Sequence, residues 1–137
     1  MLAEPLQYLF FTDSSNRNQT QTMSIIRKET SAKISRVVIH NETVYLCGQV
    51  ALDPDADMAG QTHSVLARID GHLAQAGTDK SKLLQVLIHV KNTEDAAIFN
   101  EIWNAWLPED CAPARTCIQA NMLRESLLVE VTVTAAR

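Results

Sequence analysis

Hydrophobic positions along this chain repeat with the period of a strand in some stretches and with the period of a helix in others. Six stretches have the composition and length of β-strands: residues 24–29, 36–40, 43–50, 83–91, 114–121 and 127–136. Helical spacing appears in residues 58–76 and again between Asn92 and Pro108. The order β-β-β-α-β-α-β-β predicts an α/β fold in which two helices cover one face of a mixed six-stranded sheet.

Turn-forming and capping residues place the boundaries of these elements. The pair at positions 41–42, Asn-Glu, predicts a tight hairpin turn between the second and third strands. Acidic residues at 53–55 suit the start of the first helix, and Gly77 suits its end. Residues 83–91 are almost continuously apolar, which predicts a strand buried on both faces.

The second predicted helix is short and amphipathic. We expect Asn92 to cap it, acidic residues to occupy its first turn, and Pro108 to end it. Its apolar stripe is expected to lie in the core rather than to form a stacking platform, and it consists of Phe99, Ile102, Trp103 and Trp106.

The last predicted strand alternates strictly, so its two faces differ. One face is wholly apolar and consists of Leu127, Val129, Val131 and Val133. The other face consists of Leu128, Glu130, Thr132 and Thr134. Because two helices suffice for only one face of the sheet, we expect an oligomer to cover the other face.

The amino-terminal segment differs from the rest of the chain. Residues 12–22 are polar and show no apolar periodicity, which predicts that residues 1–22 are a disordered or extraneous leader. Residues 1–11 lack a basic n-region and are too few to span a bilayer, so no membrane association is expected. Residues 23–137 are predicted to form a single domain.

Charge and side-chain chemistry exclude several classes of function. The net charge is −4 and the 12 Lys and Arg residues are scattered, so nucleic-acid binding is not expected. The odd cysteine count predicts free thiols in a reducing cytoplasm, at Cys47, Cys111 and Cys117. The histidines lack metal-site spacing; two are expected in structural strand positions (His40, His89) and two on a solvated helix face (His63, His72).

The strongest candidate for chemistry lies in the last two strands. If they form a hairpin, Cys117 faces Glu130, and Arg115 lies one diagonal step away on the same face. An arginine grips a carboxylate with two hydrogen bonds, and a glutamate can orient water or exchange protons. Alternatively, Arg115 and Glu130 form an ordinary cross-strand ion pair, and Cys117 is a small buried hydrophobic residue.

Three segments resemble the RidA/YjgF family, also labelled reactive intermediate deaminases or endoribonuclease L-PSP. They are residues 45–50 (YLCGQV), the helix ending at residues 76–77, and residues 112–117 (APARTC) followed by Val-Glu-Val at 129–131. The resemblance covers residues 23–137. The sequences SRVVIHN and TCIQA are most similar to the YoaB-like branch of the family.

This resemblance implies a chorismate-mutase-like sandwich and a homotrimer whose three sheets form a central barrel. It also implies active sites in clefts between subunits, with no metal and no organic cofactor. There Arg115 would bind the carboxylate of a 2-imino or 2-enamino acid, which is hydrolysed to a 2-keto acid and ammonia. Glu130 and Cys117 would position water and handle protons, and Cys47 and Gly48 would line the cleft.

The chain departs from the archetypal members of this family at two places. Their Gly-Pro-Tyr motif corresponds here to residues 33–36 (KISR), without a tyrosine, and Cys47 stands where they have a serine. The alternative function is therefore a non-catalytic trimer that binds small carboxylates such as 2-keto acids. A ribonuclease fits poorly, because the sequence is acidic and no histidine pair accompanies Arg115.

Overall fold

The computed structural model describes residues 24–137, and the predicted leader over residues 1–22 lies outside them. Eight main elements follow in the predicted order: β1 (Ile25–Thr30), β2 (Ser35–His40), β3 (Thr43–Leu46), α1 (Met58–Gln75), β4 (Leu83–Val90), α2 (Ala96–Trp106), β5 (Ala114–Gln119) and β6 (Val129–Ala136). Short 3-10 turns precede β4 and α2. No helix in this part of the chain is long and apolar enough to cross a membrane.

The six strands form one mixed sheet in the order β1-β2-β3-β6-β4-β5. Only β4 and β5 are parallel; every other neighbouring pair is antiparallel. The predicted hairpin between the last two strands is wrong, because β4 lies between β5 and β6. A parallel pair needs a crossover connection, and α2 supplies it by carrying the chain from β4 to β5.

The turn between β2 and β3 confirms the predicted hairpin. His40 pairs with Thr43, so residues 41 and 42 form the whole loop. Asn41 has φ of 54°, a left-handed conformation that asparagine tolerates better than most residues. The third strand is shorter than predicted, since regular pairing with β2 ends at Leu46.

Both helices pack on one face of the sheet, as predicted. From α1 the core receives Val65, Leu66, Ile69 and Leu73, and from α2 it receives Phe99 and Trp103. Ile102 and Trp106 pack against the edge of this cluster, which confirms the predicted stripe. Burial of these apolar side chains against the sheet is the main source of stability.

The first helix begins at Met58 as predicted, but the residues before the two helices act differently from the prediction. Asp57 caps α1, since its Oδ1 accepts a hydrogen bond of 2.8 Å from the Gly60 N–H, whereas Asp53 closes a preceding turn. Asn92 stands before the 3-10 turn at Thr93–Asp95 and makes no capping bond to its backbone.

Asp79 stands before the other 3-10 turn, at Lys80–Lys82, and accepts hydrogen bonds from Ser81. The bond from the Ser81 hydroxyl has the larger effect and the bond from the Ser81 N–H the smaller one, and both hold the pKa of the Asp79 carboxyl below its ordinary value.

Two burial predictions are wrong for the single chain. In β4, Val86 and Ile88 are buried under the helices. Leu87 and His89 on the opposite face are partly exposed, because no helix or strand within residues 24–137 covers that face. His72 is not solvated: it is buried, and its Nδ1 lies 2.8 Å from Glu29 Oε2 on the edge strand β1.

Candidate functional site

Arg115 lies on the edge strand β5 and points to the helix-covered side of the sheet. It pairs with Val86 of β4, which is buried under the helices, and paired residues direct their side chains to the same face. Its guanidinium carbon lies 5.7 Å from the Phe99 ring centre and 5.9 Å from the Trp103 ring centre, within cation–π range. Its Nη2 donates a hydrogen bond to Asn100 Oδ1. Helix α2 therefore fixes the guanidinium at the surface.

An open cavity of about 570 Å³ surrounds this guanidinium. Besides Arg115 it is lined by Ala96, Asn100 and Cys117. Among residues 24–137, no carboxylate lies within 4.0 Å of the Arg115 side chain, so its remaining N–H groups have no ionic partner. Such a guanidinium is suited to receive a ligand carboxylate on two N–H donors.

Cys117 shares the face and the cavity of Arg115. It pairs with Ile88 in β4, one step along the same side of the sheet. The thiol is free and exposed, so the alternative in which Cys117 is a small buried hydrophobic residue is wrong for the single chain. An edge strand leaves such a position uncovered because no further strand or helix packs beyond it.

Glu130 occupies the opposite face of the sheet. It pairs with His89, whereas its neighbour Val131 is buried beneath the helices. Arg115, Cys117 and Glu130 therefore do not converge within one chain, and no ion pair joins Arg115 to Glu130. The predicted convergence required β5 to pair directly with β6. Because β4 lies between them, Cys117 and Val131 both pair with Ile88, and Glu130 points to the other face.

Gly48 lies directly beside the Glu130 side chain. Regular pairing of β3 with β6 ends at Tyr45 and Thr134, and pairing resumes at Gln49 and Val131. Residues 46–48 therefore face only residues 132–133, which is a β-bulge. A Cβ placed on Gly48 would overlap Glu130 Oε1 and would lie 3.0 Å from its carboxyl carbon. The missing side chain thus provides the space that the carboxylate occupies.

Cys47 and Gly48 also line a second, smaller cleft of about 230 Å³. Gln49 donates from Nε2 to the Cys47 carbonyl at 3.0 Å and to Cys47 Sγ at 3.3 Å. Gln49 itself is buried, and its Oε1 has no hydrogen-bond partner among the described residues. Three arginines complete the polar lining of this cleft: Arg36, Arg68 and Arg124.

The predicted site residues thus fall into two groups. Arg115 and Cys117 lie with Asn100 on the helix-covered side, whereas Cys47, Gly48 and Glu130 lie together near the β3 bulge. Sequence reasoning missed Asn100, although a polar residue directly beside the apolar stripe of α2 was a readable signal. It also missed the three arginines, because they come from distant segments. Among residues 24–137, no three His, Cys, Asp or Glu side chains are placed to hold a metal ion.

Comparison with known proteins identifies the family. The family model described as endoribonuclease L-PSP matches residues 25–137. The RutC family protein YoaB from Escherichia coli K12 is 39% identical over 114 residues, which cover 83% of this chain and 99% of that protein. A solved structure of a YjgF-family protein from Neisseria meningitidis matches with a TM-score of 0.81 and 35% sequence identity, over 84% of this chain and 96% of that one. A solved structure of an uncharacterized protein from Pseudomonas aeruginosa also has a TM-score of 0.81, with 38% identity over 83% of this chain and 99% of that one. The chain therefore belongs to the endoribonuclease L-PSP family, as its resemblance to RidA/YjgF proteins and to the YoaB-like branch predicted.

Proposed function

We propose that this protein hydrolyses reactive 2-imino or 2-enamino acids to 2-keto acids and ammonia, in clefts between the subunits of a homotrimer. The observation that carries the proposal is the Arg115 guanidinium. It is stacked near Phe99 and Trp103, fixed by Asn100, and free of any carboxylate in the described chain. A cation held in this way has already lost conformational freedom, so a substrate carboxylate binds it at a lower entropic cost.

The trimer is proposed because the two groups of site residues face different sides of the sheet. Within one chain Glu130 cannot act on a ligand held by Arg115. A neighbouring copy that covers the helix-free face would bring its Glu130, Gly48 and Cys47 against the β5 edge of the first chain. Exposed apolar side chains on that face favour such burial: Ile25, Tyr45 and Ile118. The proposal of three subunits comes from the resemblance to the RidA/YjgF family.

In the proposed reaction, Arg115 binds the substrate carboxylate and holds C2 in the cleft. Glu130 of the neighbouring copy accepts a proton from water while the water oxygen forms a bond to C2. The same proton then passes to the substrate nitrogen, which gives a carbinolamine. Glu130 next takes the proton of the new hydroxyl group and transfers it to the nitrogen as the C–N bond breaks, so that ammonia leaves with the 2-keto acid. An enamine first gains a proton at C3 and loses one from its nitrogen, which converts it to the imine. Cys117 is proposed to contact the ligand beside Arg115.

A cytoplasmic setting is part of this proposal. The three cysteines are free thiols in the described structure, and free thiols are typical of a reducing compartment.

A second candidate function is non-catalytic binding of small carboxylates. It is favoured by the lining of the smaller cleft. Residues 33–36, which include Ile34, contain no tyrosine, and Cys47 stands where the archetypal family members have a serine. This function keeps the role of Arg115 and dispenses with proton transfer by Glu130. The two candidates differ in whether ammonia is released.

The test is ammonia release from freshly generated 2-aminoacrylate and 2-iminobutanoate. We expect Arg115→Ala to abolish turnover, and Arg115→Lys to lose most of it because the two-donor fork is gone. Arg137→Ala is the matched control, since Arg137 is an exposed arginine at the far end of β6. Wild-type turnover by a folded Arg115→Ala protein would exclude the proposed clamp. Saturable 2-keto acid binding without ammonia release would establish the second candidate instead.

A further inference from the structure

The smaller cleft contains an unusual concentration of positive charge. Arg36 comes from β2, Arg68 from α1, and Arg124 from the loop between β5 and β6, yet all three line the same space of about 230 Å³. The chain as a whole carries a net charge of −4, so a cluster of three positive side chains is not expected from its overall charge. Like charges brought together in a small cleft repel one another unless a counter-charge is present.

No acidic group of the described chain forms an ion pair with these arginines, although the Glu130 carboxylate lies beside Gly48 in the wall of the cleft. Among residues 24–137, no carboxylate lies within 4.0 Å of Arg36, Arg68 or Arg124. Arg68 is half-buried, and its Nη1 donates a 2.9 Å hydrogen bond to the Val50 carbonyl, which directs the side chain into the cleft wall. Among the described residues, Arg68 makes a side-chain hydrogen bond only to this neutral carbonyl, which leaves the charge of a half-buried guanidinium without a counter-charge.

Gln49 adds a buried polar side chain to the lining of this cleft. It lines the space, it is 1% exposed, and its amide nitrogen is occupied by Cys47. Its Oε1 nevertheless has no donor among the described residues. Buried acceptors are almost always satisfied in native proteins, so a water molecule is expected to donate to this oxygen, because an anionic oxygen has no proton to donate.

We propose that this cleft binds an anionic oxygen group of the substrate, so that the natural substrate has a second acidic group besides the carboxylate bound by Arg115. This rests on the proposed function, because Cys47 and Gly48 line both the proposed active-site cleft and the arginine cleft. The shared chemistry is that of a carboxylate or a phosphate, both of which match guanidinium forks. The substrate class is thus an imino or enamino derivative of a diacid.

The test compares binding of 2-keto acids that differ only in the terminal group. The probes are oxaloacetate, 2-oxoglutarate and 2-oxoadipate, each against the 2-keto monoacid of equal carbon number, with 2-oxo-4-phosphonobutanoate for the phosphate-like group. Binding is measured by calorimetry on the wild type, Arg36→Ala, Arg124→Ala and the double variant, with Arg137→Ala as control. Arg36 and Arg124 are exposed, so removing them should leave the fold intact.

We expect at least one diacid or the phosphonate to bind roughly tenfold more tightly than its monoacid, as a charge-assisted pair allows. That preference should fall below about threefold in the double variant and persist in the control. Equal affinities across the whole series, or a preference unaffected by the double variant, would overturn the proposal. So would inorganic phosphate that binds through Arg36 and Arg124 without competing with 2-oxoglutarate, since the anion site would then be separate from the substrate.

Failure of the proposed second anionic group can be distinguished from failure of the proposed hydrolysis. Arginine-dependent diacid binding without ammonia release would keep the substrate class and exclude the hydrolysis. Arg115-dependent hydrolysis without any diacid preference would keep the hydrolysis and exclude the second anionic group.

Discussion

The guanidinium of Arg115 is held by two different kinds of contact, and each has a separate consequence. The rings of Phe99 and Trp103 are part of the core, so they fix the position of the charge without using its N–H groups. Asn100 uses one N–H group and thereby sets the rotation of the planar fork. Position and rotation together decide whether a planar carboxylate meets two donors at once.

Removal of the Asn100 amide should therefore weaken ligand binding without unfolding the protein. We expect Asn100→Ala to raise the Kd for 2-oxobutanoate by roughly fivefold, which corresponds to about 1 kcal/mol for one lost orienting hydrogen bond. Asn104→Ala is the matched control, because Asn104 is exposed one turn later on the same helix. Calorimetric titration of both variants is the measurement, and an equal effect of the two would contradict the role given to Asn100.

Gly48 allows a second residue-scale prediction. The Cβ of Gly48→Ala would collide with the Glu130 carboxyl group, which lies at the end of a flexible side chain and must turn away. We expect the fold to survive and the turnover of 2-iminobutanoate to fall at least about tenfold, since the proposed base is displaced. In the control Gly71→Ala, the new Cβ meets nothing within 4 Å, and the helix should be unchanged or slightly more stable. Wild-type turnover by Gly48→Ala would exclude the placement of Glu130 as the base.

At the scale of the elements, the sequence predicted every strand and helix but placed one strand wrongly. Periodicity identifies an element from its own residues, and the amphipathic stripe of α2 was read correctly for this reason. The neighbour of β5 is decided instead by the crossover through α2, which no local pattern records. The sequence identifies Arg115 and Glu130 as candidate site residues. It places them on the same face of the sheet only because β6 is taken as the neighbour of β5, whereas β4 lies between the two strands.

The start of α1 gives a prediction at this scale. Asp57 accepts a hydrogen bond from the helix backbone, whereas the Asp55 side chain makes no hydrogen bond found in the described structure. We expect Asp57→Ala to lower the free energy of unfolding by about 1 kcal/mol, the usual cost of losing a cap. Asp55→Ala, two residues earlier, should change it by less than about 0.5 kcal/mol. Urea denaturation of the two variants decides between them, and a reversed order would contradict the observed helix start.

At the scale of the whole molecule, the two faces of the sheet differ in what covers them. The helices cover one face, and the opposite face carries Tyr45 and Ile118 at nearly half exposure. The sequence predicted that this face would be covered, because the alternation of β6 is visible in the residues themselves. The residue pattern alone does not reveal that Arg115 and Glu130 lie on opposite faces of the sheet, since that follows from the sheet order.

The central claim is that each active site combines Arg115 of one copy with Glu130 of the next. The most direct measurement mixes two inactive variants, Arg115→Ala and Glu130→Gln, after unfolding and refolding them together, with mass spectrometry to verify mixed trimers. If each cleft takes one group from each neighbour, about a quarter of the clefts receive both intact groups, so turnover should return to roughly a quarter of the wild-type value. Mixed trimers without any recovered turnover, beside an active wild type, would contradict the shared site.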